Sequence, residues 1–139
     1  MSMTKEIGFL ITDVKRLLRR EYLKSELPVT PMQARALAYV SRYEGIRQVA
    51  LSEILEIQPI TTARLIDQLS EEGLVERRQD PSDRRAYCLY LGEGARQKLD
   101  DIGFVVEQVN QKALAGLSAK DIQQLERLLK IMHSNLGQD

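Results

Sequence analysis

The chain has 139 residues, of which 43% are hydrophobic and 29% are charged, a composition that indicates a folded globular protein. Its 20 basic residues balance 20 acidic ones, and this zero net charge argues against a nonspecific polyanion binder, which would be strongly basic. One cysteine and one histidine exclude a disulfide framework and a Cys- or His-rich metal site.

The first predicted helix runs from about Thr4 to Ser25 and carries a single apolar stripe. Its large apolar residues recur at steps of three and four, at Ile7, Leu10, Ile11, Val14, Leu17 and Leu18. Because proline disfavours helical backbone in the residue before it, the pair Leu27-Pro28 ends this helix.

Capping residues predict where the second helix begins. Thr30 is a candidate N-cap, Pro31 suits the first helical position, and Gln33 completes a capping box. A short third helix is predicted over about Gln48 to Glu56. Two short helices joined by a tight turn are typical of a helix-turn-helix, so the next helix is the candidate DNA reader.

The fourth predicted helix starts at Pro59 and ends near Glu72, before the stop signal Gly73. Steps of three predict an inward apolar face made by Ile60, Ala63, Ile66 and Leu69. Five polar residues are then expected to face outward, namely Gln58, Thr61, Thr62, Arg64 and Gln68. Glutamine, arginine and threonine are side chains that recognise base edges in the major groove, although a solvated helix face is the alternative interpretation.

A β-hairpin follows, with a turn predicted at Asp80-Pro81-Ser82-Asp83 and alternating residues after it. Four arginines lie at its base and tip, at Arg77, Arg78, Arg84 and Arg85. Arginines on a narrow projecting loop can enter a minor groove or bind phosphates. The alternative is a salt-bridged surface turn, because Asp80 and Asp83 offset half of that charge.

Two helices complete the chain. The long one, from about Glu93 to Leu114, has a heptad pattern at Ala95, Leu99, Ile102, Val106, Val109 and Ala113. Ser118 and Asp121 predict a capping box for the last one. Apolar stripes on the outer helices predict a homodimer held by Ile7, Leu10, Val14, Leu99, Ile102, Val106, Leu125, Leu129 and Met132, with packing inside one subunit as the alternative.

These elements predict a mainly α fold with a small β-hairpin wing, a winged helix-turn-helix that dimerises through its N- and C-terminal helices. Residues 28–92 would form the DNA-binding domain, and residues 1–27 and 93–139 the helical dimerisation region. The predicted DNA-binding residues are Gln58, Thr61, Thr62, Arg64, Gln68, Arg77, Arg84 and Arg85. A paired arrangement would place two reading helices about 34–36 Å apart on an inverted-repeat operator.

Two other functions compete with DNA binding. An enzyme is disfavoured because the sequence has no glycine-rich phosphate loop, no Ser-x-Gly elbow and no metal-ligand spacing. A winged-helix protein–protein adaptor without DNA binding is the main alternative, because fold alone does not fix function.

Residues 51–95, read as LSEILEIQPITTARLIDQLSEE followed by GLVERRQDPSDRRAYCLYLGEGA, resemble the MarR family of bacterial transcriptional regulators. The family's Gly-Leu-Val-x-Arg and Asp-x-Arg pattern falls on 73–77 and 83–85, and the helix order agrees over nearly the whole chain. The resemblance implies homodimers with interlocked terminal helices, a fourth helix in the major groove and a wing arginine in the minor groove. It also implies a double-stranded DNA partner and small aromatic or anionic effectors that weaken DNA binding. We therefore expect a repressor that such an effector releases from its operator.

By this resemblance Arg85 is the wing-tip arginine with Arg84 beside it, and Asp67 and Asp83 orient wing arginines. Residues between the first two helices that could contact an effector are Arg16, Arg20, Met32, Tyr39 and Tyr43, with a surface or packing role for each as the alternative. The sequence departs from the family at Leu91-Gly92, where Leu-Thr is frequent, which is expected to weaken a cap on the long helix and leave the fold intact. Cys88 is interpreted as a small strand residue.

The compartment is predicted from what the sequence lacks. No apolar run reaches the roughly 18 residues of a membrane span, and the N-terminus lacks the features of a secretory signal. We therefore expect a cytoplasmic protein with no membrane partner, no metal and no cofactor.

Overall fold

The computed structural model describes residues 3–137, in which six helices surround a small antiparallel sheet. All predicted helices and both wing strands are present, which confirms the mainly α winged-helix class. The elements in chain order are α1 Met3–Lys24, α2 Pro31–Arg42, β1 Ile46–Arg47, α3 Gln48–Leu55, α4 Pro59–Glu71, β2 Val75–Asp80, β3 Asp83–Leu91, α5 Ala95–Ala113 and α6 Ala119–Leu136.

The predicted helix caps are confirmed at atomic detail. The Thr30 hydroxyl accepts from the Gln33 backbone N–H at 3.1 Å, and the Gln33 side chain accepts from the Thr30 N–H at 3.0 Å. Ser118 and Asp121 make the same reciprocal pair at the start of α6. These local bonds satisfy backbone donors that have no partner inside the helix, which is why the sequence locates both helix starts.

The sheet has the order β1-β3-β2, and strand β1, which lies outside the predicted hairpin, was not predicted. Strand β1 is only two residues long, with Ile46 opposite Leu89 and Arg47 opposite Cys88. A two-residue strand is too short to show a period of alternation, so only its pairing partner reveals it. The pairing ties the start of α3 to the wing.

One aliphatic core joins the helix-turn-helix, the wing and α5. Its largest fully buried side chains are Leu37, Leu51, Leu55, Ile66, Leu69 and Leu89. Ile102 of α5 is buried in this cluster, and Leu99 and Val106 are half-buried against it. The heptad pattern of α5 therefore faces the protomer's own core at Ile102, which corrects the prediction that Ile102 lies in the dimer seam. Leu99 and Val106 stay partly exposed, and their place in a dimer remains a prediction.

The apolar stripes of helices α1 and α6 are largely exposed to solvent in the protomer. No residue of α6 is buried, and only Ile122, near its start, is half-buried. The remaining residues of the predicted dimer surface are all exposed, namely Ile7, Leu10, Val14, Leu125, Leu129 and Met132. None of the helices within residues 3–137 is long and apolar enough to cross a membrane.

Gly92, where the family frequently has threonine, lies very close to the backbone of Gly73 and Leu74. The Gly92 N–H donates to the Leu74 carbonyl at 2.9 Å, and a Cβ built on Gly92 would lie 2.2 Å from the Gly73 carbonyl oxygen. Helix α5 instead begins at the N-cap Gly94, which provides no side-chain cap. Glycine thus fits the crossing of these two segments, and the helix begins without the hydroxyl cap that threonine would offer.

Candidate DNA-binding surface

A buried polar contact fixes α4 against α3. The Ser52 hydroxyl donates to Thr62 Oγ1 at 2.7 Å, and the Thr62 hydroxyl donates to the Gln58 carbonyl at 3.2 Å. Thr62 is fully buried, so the prediction that it faces DNA is wrong. A buried hydroxyl costs free energy unless it is bonded, and here each hydroxyl has a partner.

The buried face of α4 is rotated relative to the prediction. Steps of exactly three drift around a helix of 3.6 residues per turn, so Ile60 ends up 64% exposed. Leu65, which was not assigned to the inward face, is buried together with Ile66 and Leu69. The prediction that Ile60 packs inward is therefore wrong.

Four of the five polar residues predicted on α4 are exposed, namely Gln58, Thr61, Arg64 and Gln68. Gln68 accepts a hydrogen bond from the Gln33 side chain of α2 at 3.4 Å. In the part of the chain that the structure describes, the Arg64 guanidinium has no protein partner. Its donors are therefore available to a base or a phosphate.

Arg77 lies at the base of the wing, and its guanidinium donates hydrogen bonds to three residues, one on α3 and two on α4. Its Nε donates to Gln48 Oε1 of α3 at 2.9 Å, its Nη1 donates to Asp67 Oδ1 of α4, and its Nη2 donates to the Ala63 carbonyl at 2.9 Å. These contacts correct the prediction that Arg77 binds DNA, because its guanidinium is occupied by protein. Arg77 instead positions α4 relative to α3 and the wing.

Asp67 does pair with a wing arginine, at the base of the wing and not at its tip. The sequence missed Gln48 as a third partner, because it lies 29 residues before Arg77 and has no motif of its own. An arginine with three fixed acceptors is held far more rigidly than a surface pair, since its planar fork loses little freedom for each bond.

The wing tip presents two free cations. Arg84 and Arg85 are exposed, and no acidic side chain among residues 3–137 pairs with either guanidinium. Asp83 accepts from the Arg85 backbone N–H at 3.0 Å and so shapes the strand start without neutralising the charge. The Gln79 amide donates to the Arg84 carbonyl at 3.1 Å. Hydrogen bonds to the backbone therefore hold the tip, while the two guanidinium groups stay unpaired.

A buried carboxylate, Asp80, anchors the turn of the wing. It accepts from the Ser82 hydroxyl at 2.7 Å and from the Ser82 N–H at 2.8 Å, and it pairs with Arg47 of β1 at 2.8 Å. These bonds, the two to Ser82 foremost, lower the pKa of Asp80 from 3.8 to about 2. The sequence suggested only a turn residue here, because Arg47 lies on the strand that was not predicted.

We expect Asp80→Asn to destabilise the protein in a pH-dependent way. Because the folded pKa is lowered, the charged carboxylate stabilises the fold above pH 3.8, and this contribution disappears as the pH falls through about 2. Urea unfolding of both proteins between pH 2 and pH 7 measures the difference. The other carboxylates are common to both proteins, so the two curves should converge in acid. A constant difference across this range would show that the charge of Asp80 has no such role.

Cys88 lies on β3 beside this anchor. Its thiol is 3.6 Å from Asp80 Oδ2, and burial together with that carboxylate raises the pKa of the Cys88 thiol. A thiol with a raised pKa stays protonated and is a poor nucleophile. This agrees with its interpretation as a small strand residue.

The five residues predicted near an effector do not line either of two open cavities on the described chain. Tyr39 and Tyr43 stack with ring centroids 6.4 Å apart, Met32 packs on the core, and Arg16 pairs with Asp13. The cavities instead lie along α5, one beside Ile122 of α6 and one beside Ser25 and Pro28. The predicted effector contacts remain a prediction.

The chain is similar in sequence and in structure to regulators of the MarR family. The sequence model described as MarR family matches residues 29–87, from the start of α2 into the wing. A mutant MarR from E. coli is 26% identical, with a TM-score of 0.73 over 95% of this chain and 96% of that one. The same mutant complexed with operator DNA is 27% identical, with a TM-score of 0.69 over 95% and 99% of the two chains. A MarR transcriptional regulator from Methanosarcina mazei is 26% identical, with a TM-score of 0.72 over 96% and 94%.

Proposed function

We propose that the chain is a member of the MarR family and that it is a sequence-specific double-stranded DNA-binding transcriptional regulator. One observation carries the proposal. The exposed polar face of α4, with its unpaired Arg64, lies on the same body as the unpaired wing arginines, and Arg77 fixes one relative to the other. The operator complex of the E. coli relative supports the same use of the fold.

In this proposal, helix α4 and the wing contact different grooves of the DNA. Helix α4 would enter the major groove, where Gln58, Thr61 and Arg64 meet base edges. Arg84 and Arg85 would reach the minor groove or its phosphates, where guanidinium groups are attracted by the negative potential. Because the chain carries no net charge, this local placement of cations has to supply the electrostatic attraction.

A homodimer is part of the proposal. The stripes of α1 and α6 expose large apolar side chains that an isolated protomer leaves in water. A two-fold partner would cover them and present a second α4 to an inverted repeat. Residues 28–92 would then bind DNA, and residues 1–27 and 93–139 would dimerise, with α5 shared between the two functions.

We further propose a cytoplasmic regulator without enzymatic activity, which represses from its operator and is released by a small aromatic or anionic effector. A protein–protein adaptor is less well supported, because an adaptor needs neither an unpaired arginine tip nor an arginine that bonds the wing base to both α3 and the reading helix α4. Stabilisation of the protein by an aromatic acid in a thermal-shift titration would support the effector.

Selection of genomic fragments by the purified protein tests the function, with Arg64→Ala as the matched variant. We expect the natural chain to enrich an inverted repeat and Arg64→Ala to relax one position in each half-site. If Arg64 bridges a guanine, the loss is about 1–3 kcal/mol on the operator and little on random DNA. Equal losses on both DNAs would assign Arg64 to a phosphate, and no enrichment by the natural chain would contradict the proposed function.

A further inference from the structure

Ile60 is a large apolar side chain that stays exposed on the proposed reading helix. It is the second residue of α4 and the most exposed isoleucine in the part of the chain the structure describes. Single apolar residues occur on many protein surfaces, so exposure alone has no meaning. The position of Ile60 relative to the buried face of α4 decides what it can contact.

Ile60 points away from the protein core. At about 100° per residue, the buried line of Thr62, Leu65 and Leu69 lies on one side of α4, and Ile60 lies almost opposite to it. Arg64 follows one turn later on the same outer ridge. Any groove that receives the Arg64 guanidinium from this helix therefore receives the Ile60 side chain as well.

The major groove offers one apolar group to such a side chain. Among the four base pairs, only thymine displays a methyl group, on C5, and apolar side chains pack against it. We propose that Ile60 is a specificity-determining residue that contacts the C5 methyl group of a thymine in each half-site. The inference rests on the proposed function and adds a base preference to it.

Replacement of thymine by uracil tests the contact, because it removes the methyl group and keeps the Watson–Crick edge. Each thymine of the selected operator is replaced symmetrically in both half-sites, and affinity is measured by fluorescence anisotropy at fixed salt. For the natural chain we expect one thymine position where uracil weakens binding about fourfold per half-site, the factor expected for burial of one such group. Ile60→Ala should bind the thymine and uracil operators equally.

Two controls separate Ile60 from general weakening. Arg64→Ala should bind less tightly but keep the uracil penalty, because it leaves the isoleucine in place. Ile60→Val, which retains the branched Cβ, should keep part of the penalty. Because Ile60 is exposed, both of its variants should unfold at the temperature of the natural chain.

Three results would overturn the inference: a half-site without thymine, a natural chain that is indifferent to every uracil, or an unchanged penalty in Ile60→Ala. The proposed function fails in a different way, through the absence of any enriched operator. A clear operator with no methyl dependence would leave the regulator intact and remove only the role of Ile60.

Discussion

Arg85→Ala is expected to weaken operator binding by about 1–3 kcal/mol per half-site, and thus by roughly twice that in a dimer. The Arg85 guanidinium is exposed and unpaired among residues 3–137, while its backbone is held by Asp83. Truncation is therefore expected to remove the proposed DNA contact without breaking a side-chain contact within the protein. Titration of labelled operator at several salt concentrations measures the loss, and the salt slope should fall by about 0.9 for each phosphate contact removed.

Arg78→Ala is the matched control within the same hairpin. Arg78 pairs with Glu76 at 3.0 Å and lies 3.9 Å above the Tyr90 ring, so its charge is already engaged by protein. We expect a much smaller effect on binding from this variant. Arg85→Lys, which keeps the charge but not the planar fork, should recover only part of the affinity. Unchanged affinity of Arg85→Ala at fixed salt would show that the wing tip does not touch DNA.

Leu129→Arg is expected to convert the proposed dimer into monomers and to lower operator affinity by about 10²- to 10⁴-fold. Leu129 lies in the middle of the exposed stripe of α6, a helix in which no side chain is buried within the protomer. A charge placed there would be buried without a partner in any dimer that uses this stripe. Without the dimer, each half-site has to be bound independently.

Analytical ultracentrifugation measures the mass directly, and Gln123→Arg adds the same charge on the polar side of α6 as a control. We expect the natural chain and Gln123→Arg to sediment at twice the mass of one chain, and Leu129→Arg at the mass of one. The winged-helix core is remote from this substitution, so the far-UV circular dichroism of the whole protein should still show a folded, mainly helical chain. A dimeric Leu129→Arg with normal operator binding would place the interface elsewhere.

The Arg77 cluster explains how one rigid body could read two grooves. A wing attached only by its strands could swing relative to α4, whereas Arg77 bonds the wing base to both helices of the helix-turn-helix. Asp80 and Arg47 hold the turn to β1 in the same way. Because both tethers join segments distant in the chain, the spacing between reading helix and wing tip is a property of the folded protein.

Local chemistry in the sequence determined the elements and the fold class. The capping boxes at Thr30 and Ser118 specify helix starts through bonds between neighbouring residues. The turn residues at 80–83 specify the hairpin, and the unpaired arginines beside them specify the basic tip. These features depend on residues a few positions apart, which is the range over which a sequence pattern can be interpreted.

Tertiary structure alone decided what covers α5 and what Arg77 bonds to. The face of α4 was mispredicted because steps of three were used, although the 3.6-residue period of Leu65, Ile66 and Leu69 places Thr62 inside. Only the bond of Thr62 to Ser52 needed the tertiary structure. The heptad of α5 indicated an apolar partner without saying which one, and the core supplied it through Ile102. The cover of α5 and the bonds of Arg77 depend on contacts between residues far apart in the chain, whose geometry no local period contains.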